Sequence, residues 1–299
     1  MKEITAATRR VYTGHQLWLF LFLLKLIFAG AFILPFYLIS DSILSSSQYA
    51  GRIVDHWDVS TMIEMYSGKM EMIPTNLLFG MAAGLIFLVA MQFFNGGIYY
   101  LTVSGNVKPL NWNEFFVECY ANFGAHLRIT ALMALVYLVL ITGGLFFVNL
   151  LETLGGKLVG SAAIAMSGVK ALILLLIVLM TSIFSDSARA ANTIKPGKPF
   201  REVLKTGADF FRPHMIKMTA YFLLTYIPFI LIWVLMEWLA LQTVSVAGGV
   251  VGIALEFIFF QICALARTGQ KLWYLHILGI RFRAVNPGRF LPEQAELRL

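Results

Sequence analysis

Four ionisable side chains lie within otherwise apolar stretches of the sequence: Lys25, Lys170, Glu237 and Glu256. A charge in hydrocarbon costs roughly 2.5–3.5 kcal/mol on insertion scales unless it is paired, hydrated or able to snorkel, so each must find a partner or a purpose. At the helical rise per residue, Lys25 falls about 12 Å and Glu256 about 15 Å from the cytoplasmic ends of their stretches. Lys170 falls about 13 Å below the outer end of its stretch and Glu237 within about 5 Å of its own, a gap that a lysine stem can span. These depths predict the pairs Lys25–Glu256 and Lys170–Glu237. Two readings follow: ion pairs that fix helix packing, or polar stations on a substrate or proton path. Gln92, Asn95, Asn149 and Gln261 add uncharged groups able to bond between helices or to line a cavity.

Other chemistries are weakly signalled. Asp55-His56-Trp57-Asp58 sets two carboxylates and an imidazole close together. With no second histidine nearby, no His-Glu-x-x-His and no paired cysteines, a metal site or a reacting centre has little support there. Cys119 and Cys263 form no Cys-x-x-Cys unit, and both fall on the reducing side of the topology derived below, so no disulfide is expected. The sequence contains no P-loop, dinucleotide fingerprint or Gly-x-Ser-x-Gly elbow. No catalytic residue, cofactor or metal is therefore expected, and the chain reads as a non-enzyme. Small-x-x-x-small pairs occur at Gly80/Gly84, Gly156/Gly160 and Gly248/Gly252, about as often as composition alone predicts. Pro35 and Pro228 lie inside apolar stretches and are expected to bend their helices or open them locally.

The elements that hold these residues follow from composition. Of 299 residues, 59% are hydrophobic and 13% charged, with a mean hydropathy of +0.77. Soluble domains carry about 25% charged residues, so most of this chain has a solvent other than water. Residues 72–107 contain no Asp, Glu, Lys or Arg for 36 positions, and residues 129–151 none for 23. Either run exceeds the ~20 residues that cross hydrocarbon. Stretches at about 17–40, 76–104, 128–151, 161–185, 217–240 and 246–266 predict six transmembrane helices in one all-α polytopic domain over residues 1–283. An external loop covers 41–75 and a cytoplasmic tail 284–299. Long apolar runs satisfy their backbone internally as helices, whereas barrel strands would alternate over ~10 residues.

The first run is longer than a signal-peptide core, and it ends in Leu-Pro-Phe-Tyr with no small-residue cleavage pattern, so it is expected to stay in the mature chain. Of the 23 Lys and Arg, 18 fall at the N-terminus, in the second and fourth connections and at the C-terminus. Only Arg52, Lys69 and Lys157 fall on the opposite face, which predicts cytoplasmic termini. The net charge of +7 is then mainly a topological signal with attraction to anionic lipid, and nucleic acid is not an expected partner.

One repeat is visible. Val107-Lys108-Pro109, then Trp112-x-Glu114, Phe123 and His126, returns as Ile194-Lys195-Pro196, then Phe200-x-Glu202, Phe211 and His214, with one residue inserted after the proline. Both copies show amphipathic helical spacing and lead into a span. Each unit is expected to be an in-plane interfacial helix, a span outward, a Gly-rich turn and a span back. Residues 1–104 form a candidate third copy, since His15 precedes its span as His126 and His214 do. Leu272 to Leu278, with belt aromatics between Lys271 and Arg281, predicts a further interfacial helix.

The segment Ser185-Asp186-Ser187-Ala188-Arg189-Ala190-Ala191-Asn192, followed by Lys195-Pro196-Gly197-Lys198-Pro199-Phe200, resembles the span-exit region of bacterial six-helix inner-membrane proteins. These include YciC-like proteins and the membrane domain beside some glycerophosphodiester phosphodiesterases. The likeness covers mainly residues 75–270, with Asp186, Arg189 and the Lys-Pro-x-x-x-aromatic pattern as its points. It implies six helices in a bacterial inner membrane and assigns no catalytic residue or substrate.

Two functions fit this sequence. One is a non-enzymatic inner-membrane protein that binds or translocates a lipid-like or amphipathic molecule. Its candidate polar points are Lys25, Lys170, Glu237, Glu256, Gln92, Asn95 and Gln261. The other is a scaffold, accessory or assembly subunit of a larger membrane complex. Membrane lipids, other membrane subunits or further copies of the chain are the corresponding partners.

Overall fold

Unbranched and aromatic apolar residues run for twenty or more positions here with few interior breakers, so helix is the backbone state that meets its own hydrogen bonds. The computed structural model describes residues 2–44, 72–104, 110–155, 161–194, 197–247 and 249–286, and all the regular structure among them is helical. In chain order the helices are α1 (Lys2–Thr13), α2 (His15–Leu44), α3 (Met72–Ser104), α4 (Trp112–Gly155), α5 (Ser161–Ile194), α6 (Phe200–Ala247) and α7 (Gly249–Val285). The Asp55–Asp58 motif, both Lys-Pro pairs, most of the 41–75 loop, Gly156, Gly160, Gly248 and residues 287–299 lie outside the described residues.

Five helices among the described residues are long and apolar enough to cross a membrane: His15–Leu34, Leu78–Ser104, Trp112–Leu150, Met166–Ile194 and Phe200–Thr243. Their outward surfaces are apolar, with Val139 68%, Phe146 70% and Leu231 65% exposed, as suits a surface solvated by hydrocarbon. Of the sixth expected span, 246–266, residues 249–266 form the start of α7, which is not among these five.

The expected interfacial helices differ from the observed arrangement. Residues 112–126, 200–214 and 272–278 do not form separate helices; each is continuous with the long helix around it, inside α4, α6 and α7 respectively. No glycine or proline pair stands at the first junction to stop propagation, and Pro213 is carried within α6. The 44 residues of α4 measure about 66 Å, well beyond a ~30 Å hydrocarbon core, so an aromatic end has to project or tilt.

Local capping sets where the long helices begin. Asn111 Oδ1 accepts the backbone N–H groups of Asn113 (3.1 Å) and Glu114 (3.4 Å), which caps α4. Before α6, Gly197 has φ +78°, a left-handed turn that glycine adopts without a Cβ clash. The Pro199 carbonyl then accepts from Glu202 N at 2.9 Å.

The chain divides into two compact units. One comprises residues 1–13, 92–225 and 273–299; the other comprises 14–91 and 226–272. In the first, α4 and α5 make the most extensive helix pairing among the described residues. Small residues bring the helices of this unit to backbone contact. A Cβ on Gly96 of α3 would stand 2.8 Å from the Glu118 carbonyl oxygen of α4, and one on Gly207 of α6 would stand 2.8 Å from Ala188 Cα of α5. Around these contacts Phe115, Ile129, Ile183 and Met218 are fully buried. In the second unit, Trp18 Nε1 of α2 donates to the Leu265 carbonyl of α7 at 2.8 Å, and Phe28 packs on Phe87 of α3 with ring centres 5.2 Å apart.

Gly207→Leu is expected to force α5 and α6 apart and to lower stability by about 1–3 kcal/mol or more, the usual range for overpacking. Gly124→Ala, where a Cβ meets nothing within 4 Å, should keep stability or raise it by up to about 1 kcal/mol through helix propensity. Unfolding of detergent-solubilised protein measures both, and equal behaviour of the two variants would contradict the close approach.

Candidate functional site

The densest polar constellation among the described residues lies in the first unit, where α3, α4 and α5 meet. Asp186 and Arg189 stand one turn apart on α5, so helical geometry points them to the same side, with Arg189 Nη1 3.6 Å from Asp186 Oδ1. From α3, the Tyr99 hydroxyl donates to Asp186 Oδ1 at 2.5 Å. Tyr99 and Asp186 are each only 1% exposed, so this charge-assisted bond is shielded from water.

The other face of the guanidinium is also used. Arg189 Nη2 donates to Thr130 Oγ1 of α4 at 2.9 Å and to Gln92 Oε1 of α3 at 3.3 Å. Thr130 Oγ1 lies 2.7 Å from the same Gln92 oxygen, and Asn95 Nδ2 donates to that oxygen at 3.1 Å. The guanidinium carbon is 5.9 Å from the centre of the Tyr99 ring. One arginine thus ties three helices together. A second link one turn further along α5 runs from Asn192 Nδ2 to Asn122 Oδ1 of α4 at 2.9 Å; Asn122 in turn donates to Glu118. The fully buried imidazole of His126 lies 5.4 Å from the Tyr99 ring, and neither of its nitrogens has a hydrogen-bond partner.

Of the residues expected from sequence, Gln92 and Asn95 belong to this cluster. The charged ones are placed differently. Lys25, half-buried on α2, donates to Thr268 Oγ1 of α7 at 3.1 Å. The ion pairs among the described residues are Arg189–Asp186, Lys198–Glu202 and Arg281–Glu3, so the expected Lys25–Glu256 pair is not formed. Similar depth places two groups at one level, but their directions around the helix axes decide whether they meet. Glu256 and Gln261 are half-buried on α7 in the second unit; Lys170 is half-buried on α5 in the first. Glu237 is exposed on α6, where it borders a shallow groove with Met236, Ala240, Phe259, Phe260 and Cys263. Cys119 and Cys263 are free thiols, both buried.

Sequence reasoning singled out Asp186 and Arg189 only as points of family likeness, and it missed Tyr99 and Thr130 entirely. The available signal was an acid and a base at i and i+3 near the end of a span, a spacing that puts both on one helix face. Most of the cluster's bonds run between helices, so its evident physical work is to lock helix direction and register, although Arg189 Nε stays buried without a partner. No known protein family matches the sequence, and neither the curated proteins nor the solved structures compared with it show a match.

Asp186→Ala is expected to cost on the order of 3 kcal/mol, since it leaves a mostly buried guanidinium without its carboxylate. Tyr99→Phe should cost about 1–2 kcal/mol. In the double variant the losses should fall short of their sum by at least about 0.5 kcal/mol, because the two side chains share one bond. Reversible unfolding in mixed detergent measures the cycle; strict additivity would dissolve the proposed coupling.

Proposed function

We propose that this chain is a non-enzymatic integral protein of a bacterial inner membrane and an accessory or assembly subunit of a larger membrane complex. Six spans with cytoplasmic termini complete the proposal, the sixth being the first part of α7. The single observation that carries it is the α3–α4–α5 cluster. Tyr99, Asp186, Arg189, Thr130 and Gln92 bond one another across three helices, with the buried Arg189 Nε left without a partner, and Lys25 likewise bonds Thr268. A translocation path needs polar groups presented to a cavity, whereas a subunit needs a rigid helical frame and can hold such groups dry.

The internal repeat forms part of the proposal and has packing support. Cys119 stands seven residues after Trp112, and Gly207 seven residues after Phe200. Both are points of backbone-close approach to the preceding long helix, Cys119 against Gly96 and Gly207 against Ala188. Phe115 and Val203, each three residues into its copy, are both buried.

A second reading, binding of a lipid-like or amphipathic molecule, is favoured by the groove at Glu237. There the Glu237 carboxylate stands at an apolar surface beside Met236, Phe259 and Phe260, where a cationic or hydroxylated head would find a partner. Extraction in native lipid followed by mass spectrometry of whatever stays bound separates the two. The accessory role predicts other membrane proteins in fixed stoichiometry. A single small amphiphile in stoichiometric amount, with no protein partner, would overturn it in favour of the second reading.

A further inference from the structure

Helix α1 is fastened to the end of α7 by a specific set of bonds. Glu3 Oε2 forms an ion pair with Arg281, 2.8 Å from Nε, and accepts from the Tyr221 hydroxyl of α6 at 2.8 Å, while Arg281 Nη2 donates to the same hydroxyl at 3.2 Å. Glu3, Ala7 and Arg10 fall at i, i+4 and i+7, one face of α1, and Ala7 is fully buried. The face that docks through Glu3 therefore carries Arg10 inward as well.

Arg10 Nη1 is buried and has no hydrogen-bond partner. On α7, Trp273 and His276 are one turn apart, and Trp273 Nε1 and His276 Nδ1 are likewise buried without a partner. His276 precedes Arg281 by five residues, so Arg10 comes alongside it if α1 runs antiparallel to α7 from the Glu3–Arg281 bond. Electrostatics agrees with that direction: burial first, then the charges of Arg10 and Arg283, push the His276 imidazole down to about 3. Burial also lowers the Arg10 guanidinium from its ordinary value. The neighbouring cations are already engaged, Arg281 by Glu3 and Arg283 Nη1 by the Val103 carbonyl at 2.6 Å.

Three buried nitrogens able to donate, two of them on strongly polar side chains, are an expensive arrangement to leave unmet. Each unsatisfied group costs roughly 1–3 kcal/mol and a charged one more. The missing complement is an anion with several acceptor oxygens. A tetrahedral oxyanion offers three oxygens to donors arriving from two helices, where a planar carboxylate offers two. Arg10 lies five residues before His15, where the first long apolar helix begins, so the site sits beside a segment that enters hydrocarbon.

We propose that Arg10, Trp273 and His276 form a binding site for a phosphate group, carried either on a phospholipid headgroup or on a free phosphate-bearing solute. In the site Arg10 supplies charge and Nη1–H, Trp273 supplies Nε1–H, and His276 donates from its Nδ1–H tautomer. The site uses none of the α3–α5 cluster and does not require the accessory role proposed above.

The test uses full-length protein, delipidated in a maltoside detergent and in phosphate-free buffer. Its thermal unfolding is followed while short-chain phosphatidylglycerol, short-chain diacylglycerol or inorganic phosphate is added. Phosphatidylglycerol is expected to raise the unfolding temperature, and diacylglycerol to do nothing. Arg10→Gln and Trp273→Phe should each weaken the phosphatidylglycerol effect at least tenfold in half-saturating concentration. Arg9→Gln, on the exposed face of α1, should not. Because Arg10 Nη1 is buried without a partner in the absence of ligand, Arg10→Gln should not lower the ligand-free unfolding temperature, as loss of a packing contact would. A response to inorganic phosphate that Arg10→Gln also removes would identify a free phosphate as sufficient; a response to phosphatidylglycerol alone would identify the headgroup. Equal shifts from diacylglycerol, or titrations unchanged by both Arg10→Gln and Trp273→Phe, would overturn the site. Should Trp273→Phe fail to fold, Arg10→Gln alone decides.

Discussion

A carboxylate and a guanidinium buried one turn apart on α5 set the terms for everything packed against them. Neither charge can be left bare in a medium of low dielectric, so Asp186 draws the Tyr99 hydroxyl from α3 and Arg189 draws Thr130 from α4 and Gln92 from α3. These are directional bonds, and apolar packing is not. Leu and Ile faces would tolerate many rotations of α3 against α5, whereas a planar guanidinium serving Asp186, Thr130 and Gln92 tolerates few. The cluster thereby converts a set of sticky helices into a particular arrangement.

Close approach works together with these bonds. Where Gly96 meets the α4 backbone and Gly207 meets Ala188, no side chain separates the helices. Dispersion contacts between backbones are then gained along the whole crossing, which counts for most where solvent supplies no hydrophobic drive between helices. The two crossings stand at the same position after Trp112 and Phe200, with the small residue on the earlier helix in one and on the later helix in the other.

The half-buried charges illustrate a different logic. Lys25 bonds a threonine hydroxyl on α7, Thr268, whose own Oγ1 donates back to Ala264. A neutral hydroxyl gives the lysine a hydrogen bond without a second buried charge. Arg267, one residue earlier on α7, lies over the Tyr226 and Phe229 rings at 4.3 and 5.5 Å, using aromatic faces in place of a carboxylate. A hydroxyl dipole meets Lys25 and aromatic rings meet Arg267, in keeping with a sequence that has 16 acidic residues against 23 basic ones.

Local chemistry determined the helices. Backbone satisfaction and apolar run length are properties of contiguous residues, so the positions of the long helices were legible from charge gaps in the sequence, including the Met72–Ser104 helix in the longest gap. The joining of residues 112–126 and 200–214 to their spans was not legible, because amphipathic spacing is the same whether a helix ends at the interface or runs through it. Depth was readable for Lys25 and Glu256, but partner choice was not: it depends on the angle each side chain takes around its helix axis. Asp186 and Arg189 could be seen on one face of α5, yet Tyr99, Thr130 and Gln92 are 87, 59 and 97 positions from their partners in the chain. Only the tertiary structure decides such meetings, since helix rotation and crossing are set jointly by small residues and polar bonds spread over several helices.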